Sequence, residues 1–269
     1  MNNNIYSFII ICVIFFACKD ENVIINPELT SIQASQDHLL AEQIFNDIGM
    51  IIEQGYLENS QIKGCPEYSL INVDTTDIDT LIIDFGSENC LFAGKLRQGK
   101  IINLYNGKYR TSFSRTTTTF ENYYINNNLV QGERIITNKG VNNQGNIYYE
   151  IEVVDASITT ENGIINWSSN IEKELIAGSN TYDIYDDIYT LSGNANGIGV
   201  NNNSFSAIIT KNLNIELDCI SKTNCVINSG ETIISPNGYS DRTINYGVGL
   251  CDCNIDIIIE GNIYPVILN

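Results

Sequence analysis

From Cys65 to the C-terminus the sequence keeps a period of two, and no segment long enough to be a crossover helix interrupts it. Thr80–Phe85, Lys100–Tyr105, Thr116–Ile125, Gly132–Thr137 and Asn146–Val154 are rich in β-branched and aromatic residues, the side chains that fit a pleated, half-buried surface. Between them fall Asn106-Gly107, Asn126-Asn127-Asn128, Asn142 to Gly145, Asn162-Gly163 and Asn201 to Asn203. Asn and Gly tolerate the positive φ that tight hairpins require, so turns of this kind, closely spaced, predict consecutive antiparallel hairpins. The series continues through Asn203–Lys211, Leu213–Cys219, Val226–Ser235 and Arg242–Tyr246. It closes with Asn254–Ile259 turning at Glu260-Gly261 into Ile263–Leu268. The expected fold class is therefore mostly β, a long up-and-down antiparallel meander. A flat sheet of that length would leave adhesive edges, so it should roll into a barrel-like or two-layer form. An outer-membrane barrel is not expected, because strands such as the one holding Glu172-Lys173-Glu174 carry charges too often to face lipid.

One helix precedes the strands. Ser35 suits an N-cap, Asp37 the positive end of the dipole, and Leu40, Ile44, Ile48 and Ile51/Ile52 recur at helical spacing. Gly55 follows as a stop signal, giving a helix over about residues 35–54. Phe45 widens the apolar stripe, while Glu42, Gln43, Asn46 and Asp47 are expected to face out. One face of this amphipathic helix should pack on the sheet.

The N-terminus carries an address. Ile5 to Ala17 is an apolar run too short to span a bilayer and bounded by Lys19-Asp20-Glu21, which reads as a signal-peptide core. Ala17 directly before Cys18 resembles the lipobox of bacterial lipoproteins, with Phe15 where leucine is usual and no Lys or Arg among residues 1–7. That resemblance implies cleavage after residue 17, a diacylglycerol on the Cys18 thiol and an acylated new amino terminus. Residues 18–34 then form a polar tether, and 35–269 a single β-rich domain. Two or more acyl chains anchor stably where one would not.

A formal charge of −18 argues against nucleic acid and against charge-driven binding to anionic lipid heads. Without Cys12 and Cys18, the six cysteines Cys65, Cys90, Cys219, Cys225, Cys251 and Cys253 favour disulfides in an exported chain. Cys65 and Cys90 flank a hairpin, and a bridge closing that loop stabilises by about 3 kcal/mol in the chain-entropy model. Ser235-Pro236-Asn237-Gly238 is a turn, so Val226 and Gly249 should run past each other. That places Cys225 near Cys251 and leaves Cys219 with Cys253, with Cys219–Cys251 as the alternative. Zinc is not expected, since the usual C-x-x-C spacing is missing.

The chain resembles a group of uncharacterised lipoproteins from Bacteroidetes-type (flavobacterial or cytophagal) bacteria. The residues carrying this are Cys18 to Glu21, the helix at Ala34–Gln54, Ile83 to Gly86 before Cys90, and Gly99 to Ile102. They continue with Tyr105 to Arg110, Phe120 to Ile125 and Tyr246 to Asp252. The resemblance implies that Lys19, Asp20 and Glu21 act as an export signal. It therefore implies an outer-membrane lipoprotein on the cell surface rather than on the periplasmic face.

His38 is the only histidine and falls on the first helical turn, where a solvated or capping role is expected; with it go Ser-His pairs and histidine-bound zinc. No G-x-S-x-G, P-loop or dinucleotide fingerprint is present. No catalytic residue, cofactor or metal is therefore expected. Asp183, Asp186 and Asp187, or Asp74, Asp77 and Asp79, offer carboxylates for calcium, although solvated loops are the preferred reading. Tyr105, Tyr109, Tyr123, Tyr124, Tyr148, Tyr149 and Trp167 could stack on a glycan, but adjacent pairs must point to opposite faces. The expected function is a non-catalytic, lipid-anchored envelope module that binds a ligand, a glycan or envelope protein among them, or serves structurally. A hydrolase acting on carbohydrate through two carboxylates is one alternative. A lipid carrier with an apolar pocket under the helix is the other.

Overall fold

A computed structural model describes residues 31–57, 64–71, 78–181, 183–223 and 225–268. The signal peptide, Cys18, Lys19, Asp20, Glu21 and the tether up to residue 30 lie outside the described residues, as do Asp74 and Asp77. Helix α1 (Gln33–Leu57) is followed by β1 (Glu67–Ile71), β2 (Asp79–Asp84), β3 (Cys90–Phe92), β4 (Lys95–Tyr105), β5 (Arg115–Ile125), β6 (Asn128–Val141) and β7 (Ile147–Thr160). Then come β8 (Gly163–Ala177), β9 (Ile188–Ile198), β10 (Ser204–Glu216), β11 (Ile227–Pro236), β12 (Arg242–Val248), β13 (Asn254–Ile259) and β14 (Asn262–Ile267).

The strands pair antiparallel in chain order, except that short β3 pairs only with the start of β4, and β2 pairs directly with β4. The expected meander is therefore the observed one. Asn203–Lys211 and Leu213–Cys219 belong to one strand, β10, whose register shifts between Ile208 and Leu213. Asn126-Asn127, with φ of 47° and 64°, and Glu260-Gly261, with 49° and 82°, are two-residue turns positive at both positions. That is the type I′ turn that matches strand twist.

Neighbouring strands rotate by about 20–25°. Over thirteen strands in series this coils the sheet around the helix without closing it: β1 and β14 each have one neighbour. Leu39, Ile44, Phe45, Ile48, Ile51 and Ile52 of α1 are buried, and of the described helix side chains only Gln36 is exposed. Partners come from all round: Trp167 of β8 and Phe205 of β10 meet His38, while Phe120 of β5 meets Phe45.

The helix was expected to bury one face, and the structure corrects this. Because the sheet reaches round both sides, the polar face is enclosed too. Asp47, expected outside, is buried and accepts two hydrogen bonds from fully buried Arg97, at 2.6 and 2.9 Å. Ser35 lies within the helix, buried, and not at its cap. Gly55 lies within it as well; a Cβ there would stand 3.1 Å from Tyr68 and Leu81. It marks close packing and not a stop.

Among the described residues three disulfides are present: Cys65–Cys90, Cys219–Cys251 and Cys225–Cys253. The first is the expected one. The other two follow the alternative pairing, because the chain turns tightly at Leu250–Asp252 and presents Cys251 and Cys253 to different neighbours. Cys251 meets buried Cys219 in the 3-10 turn after β10, and Cys253 meets Cys225 at the entrance to β11. Among the described residues no helix is long and apolar enough to cross a membrane.

Candidate functional site

Inward-facing side chains of β6 to β11 do not quite reach the helix. A partly open cavity of about 60 Å³ remains between them. Three strands pair there in rungs: Arg134, Val153 and Ser169; then Ile136, Ile151 and Ile171; then Asn138, Tyr149 and Lys173, of which Arg134, Val153, Ser169, Ile151, Ile171 and Lys173 line the cavity. Strand alternation sends all nine toward the helix, so cations stand in the same register as the core. The helix supplies the opposite wall through His38, Glu42, Phe45, Gly49 and Glu53.

At one end His38 Nδ1 accepts from Trp167 Nε1 at 3.3 Å, which leaves the ring proton on Nε2. Nε2 lies 3.8 Å from Glu42 Oε1, and Glu42 Oε2 accepts from the Tyr246 hydroxyl at 2.7 Å. Burial pushes His38 down to about 4 and Glu42 up to about 7, because taking a group out of water disfavours its charged form. The expected solvated histidine is thus a neutral core residue, held by Trp167.

At the other end Lys173 is buried, 3.7 Å from Glu53 and donating to the Tyr109 hydroxyl at 3.3 Å. Burial lowers both Lys173 and Arg134 from their ordinary values. Neither was singled out as a site residue from the sequence. The available signal was register: Lys173 alternates with Ile165, Trp167, Ser169, Ile171 and Leu175, the inward set of β8.

The candidate calcium acids do not converge. Asp187 is buried, accepts both 2.7 Å bonds from Arg110 and is bonded by Tyr189. Asp186 accepts from Thr181, and Asp183 caps the turn at Tyr185. No group of three or more His, Cys, Asp or Glu among the described residues is placed to hold a metal ion. The aromatic residues do not form a platform either. Trp167 stacks on Phe45 at 5.7 Å, Tyr109 on Tyr149 at 4.5 Å, and Tyr123 accepts from Arg97. They are core, and Tyr124 and Tyr148, one residue along, point to the opposite face.

Comparison with protein-family models, curated proteins and solved structures gave no match. The cavity therefore stands on its own chemistry.

Proposed function

We propose that this is a non-catalytic, lipid-anchored envelope protein that holds a small ligand between its helix and its sheet. The observation carrying the reading is the cavity itself: a largely apolar chamber between helix and sheet with Arg134 and Lys173 in its wall. Well-packed interiors have few voids larger than a water molecule, and this one is several waters in size. The anchor, Cys18 with Lys19-Asp20-Glu21 behind it, is supported by the sequence pattern and would place the domain at the outer membrane, facing outward.

The hydrolase alternative is disfavoured by spacing. The two acids lining the cavity, Glu42 and Glu53, are eleven positions apart on one helix, about 16 Å along its axis. Paired carboxylates of glycosidases stand about 5–10 Å apart. The lipid-carrier alternative is disfavoured by volume, since about 60 Å³ has no room for the long acyl chains of a lipid.

The test is native mass spectrometry of protein extracted gently from host membranes, coupled to protease shaving of whole cells. The expected result is an acylated Cys18 terminus, release by shaving, and a small molecule lost on denaturation. An unacylated product would overturn the anchor. A protein that carries nothing, and takes up nothing small when offered, would overturn the binding role.

A further inference from the structure

Arg134 is the odd cation of the chamber. Its side chain is buried, and its guanidinium lies against the helix where Gly49 leaves room; a Cβ at that position would stand 2.7 Å from Nη2. Yet Nη1 has no hydrogen-bond partner among the described residues. Glu53 is the acid whose field reaches Arg134, but it already faces Lys173. Lys173 spans the gap between Glu53 and two tyrosines, its ammonium 3.8 Å over the Tyr189 ring. Arg110 and Asp187, on the near side, neutralise each other. His38 and Glu42 stand at the far end. Lys173 and Arg134 thus face Glu53 together, and the other acid that reaches Lys173, Asp187, is already held by Arg110, in a chain whose formal charge is −18.

A buried charge without a partner is among the costliest groups a fold can hold, so its retention calls for a counter-charge. We propose that the cavity binds a small organic anion, a carboxylate on a short aliphatic tail, with its carboxylate on Arg134 and Lys173. This rests on the reading of the protein as a ligand-holding module. The planar guanidinium fork matches a carboxylate in two parallel hydrogen bonds. Between the two cationic rungs lie Ile151 and Ile171, which line the cavity and offer a surface for a tail and not for a hydrated inorganic ion. The volume, about 60 Å³, keeps that tail short.

Isothermal titration of the full mature chain with butyrate, butyramide and inorganic phosphate tests this. Butyrate is expected to bind and the other two are not, with Arg134→Gln weakening butyrate by about tenfold or more. Gly49→Ala, which favours the helix and displaces the guanidinium, is expected to weaken it as well. Arg134→Gln should melt at or above the temperature of the parent, because it removes an unpaired charge; a collapse of that variant would mean the cation is already compensated and would sink the proposal. Equal binding of butyramide would refute the anion site while leaving a ligand-holding module. Equal binding of phosphate would refute the organic tail. Failure of all three ligands, in a protein that also copurifies with nothing, would remove both readings together.

Discussion

At the scale of single residues, the charges inside the sheet determine how the fold responds to substitution and pH. Arg97 is fully buried and held by Asp47, with Tyr123 accepting a third bond at 2.8 Å. Removing one partner of such a pair leaves the other uncompensated, at about 3–5 kcal/mol. Asp47→Ala is expected to lose that much in urea unfolding, and a loss under about 1 kcal/mol would mean the pair is open to water. Glu42 works through pH. Its folded value, about 7 against an ordinary 4.5, means the native state keeps a proton that the unfolded chain releases, so its contribution is present below pH 4.5 and fades toward pH 7. His38, lowered from 6.5 to about 4, works the other way, costing stability as pH falls from 6.5. Between 4.5 and 6.5 the two slopes cancel. Glu42→Gln should therefore expose the histidine alone: stability rising from pH 4 to 6.5, and a gain over the parent that grows to about 3 kcal/mol by pH 7. Parallel pH profiles for variant and parent would contradict the assignment.

At the scale of elements, the strands and turns were legible because their signals are local. Alternation, β-branching and Asn-Gly pairs act over two to ten residues, and Asn126-Asn127 and Glu260-Gly261 form the turns their composition requires. The helix was legible as a helix but not as a buried one. Its polar face looks solvated because its partners are distant in sequence: Arg97 is 50 residues from Asp47 and Tyr246 is 204 from Glu42. No periodicity within α1 reveals that. The candidate site was hidden for the same reason, since Arg134 and Lys173 gain meaning only when coiling of the sheet brings β6 and β8 over Gly49 and Glu53. Gly99 shows how tight the coiling is. It sits at a register shift of β4 against β5 with φ of 80°, and a Cβ would stand 1.9 Å from the Asn122 carbonyl oxygen. Gly99→Ala is expected to cost about 1–3 kcal/mol or more, measured as a fall in urea midpoint at unchanged slope.

At the scale of the molecule, one helix touching strands from both ends of the sheet ties all of it into one cooperative unit. Trp167, the sole tryptophan, is packed between His38 and Phe45, so its fluorescence reports helix–sheet contact directly. Unfolding followed by that fluorescence and by far-UV circular dichroism is expected to coincide; a helix that left first would separate the two curves. The Cys65–Cys90 bridge adds a constraint on the unfolded chain, and replacing both cysteines with alanine should cost about 3 kcal/mol.

The order of the elements along the chain also sets a schedule. The helix emerges from the ribosome before any strand that covers it, and Tyr246, which holds Glu42, emerges about 200 residues later. The core cannot be completed until β12 has been made. Until then the helix stays uncovered on the side that β12 closes, so folding of the core waits on the late strands rather than following the chain as it is made.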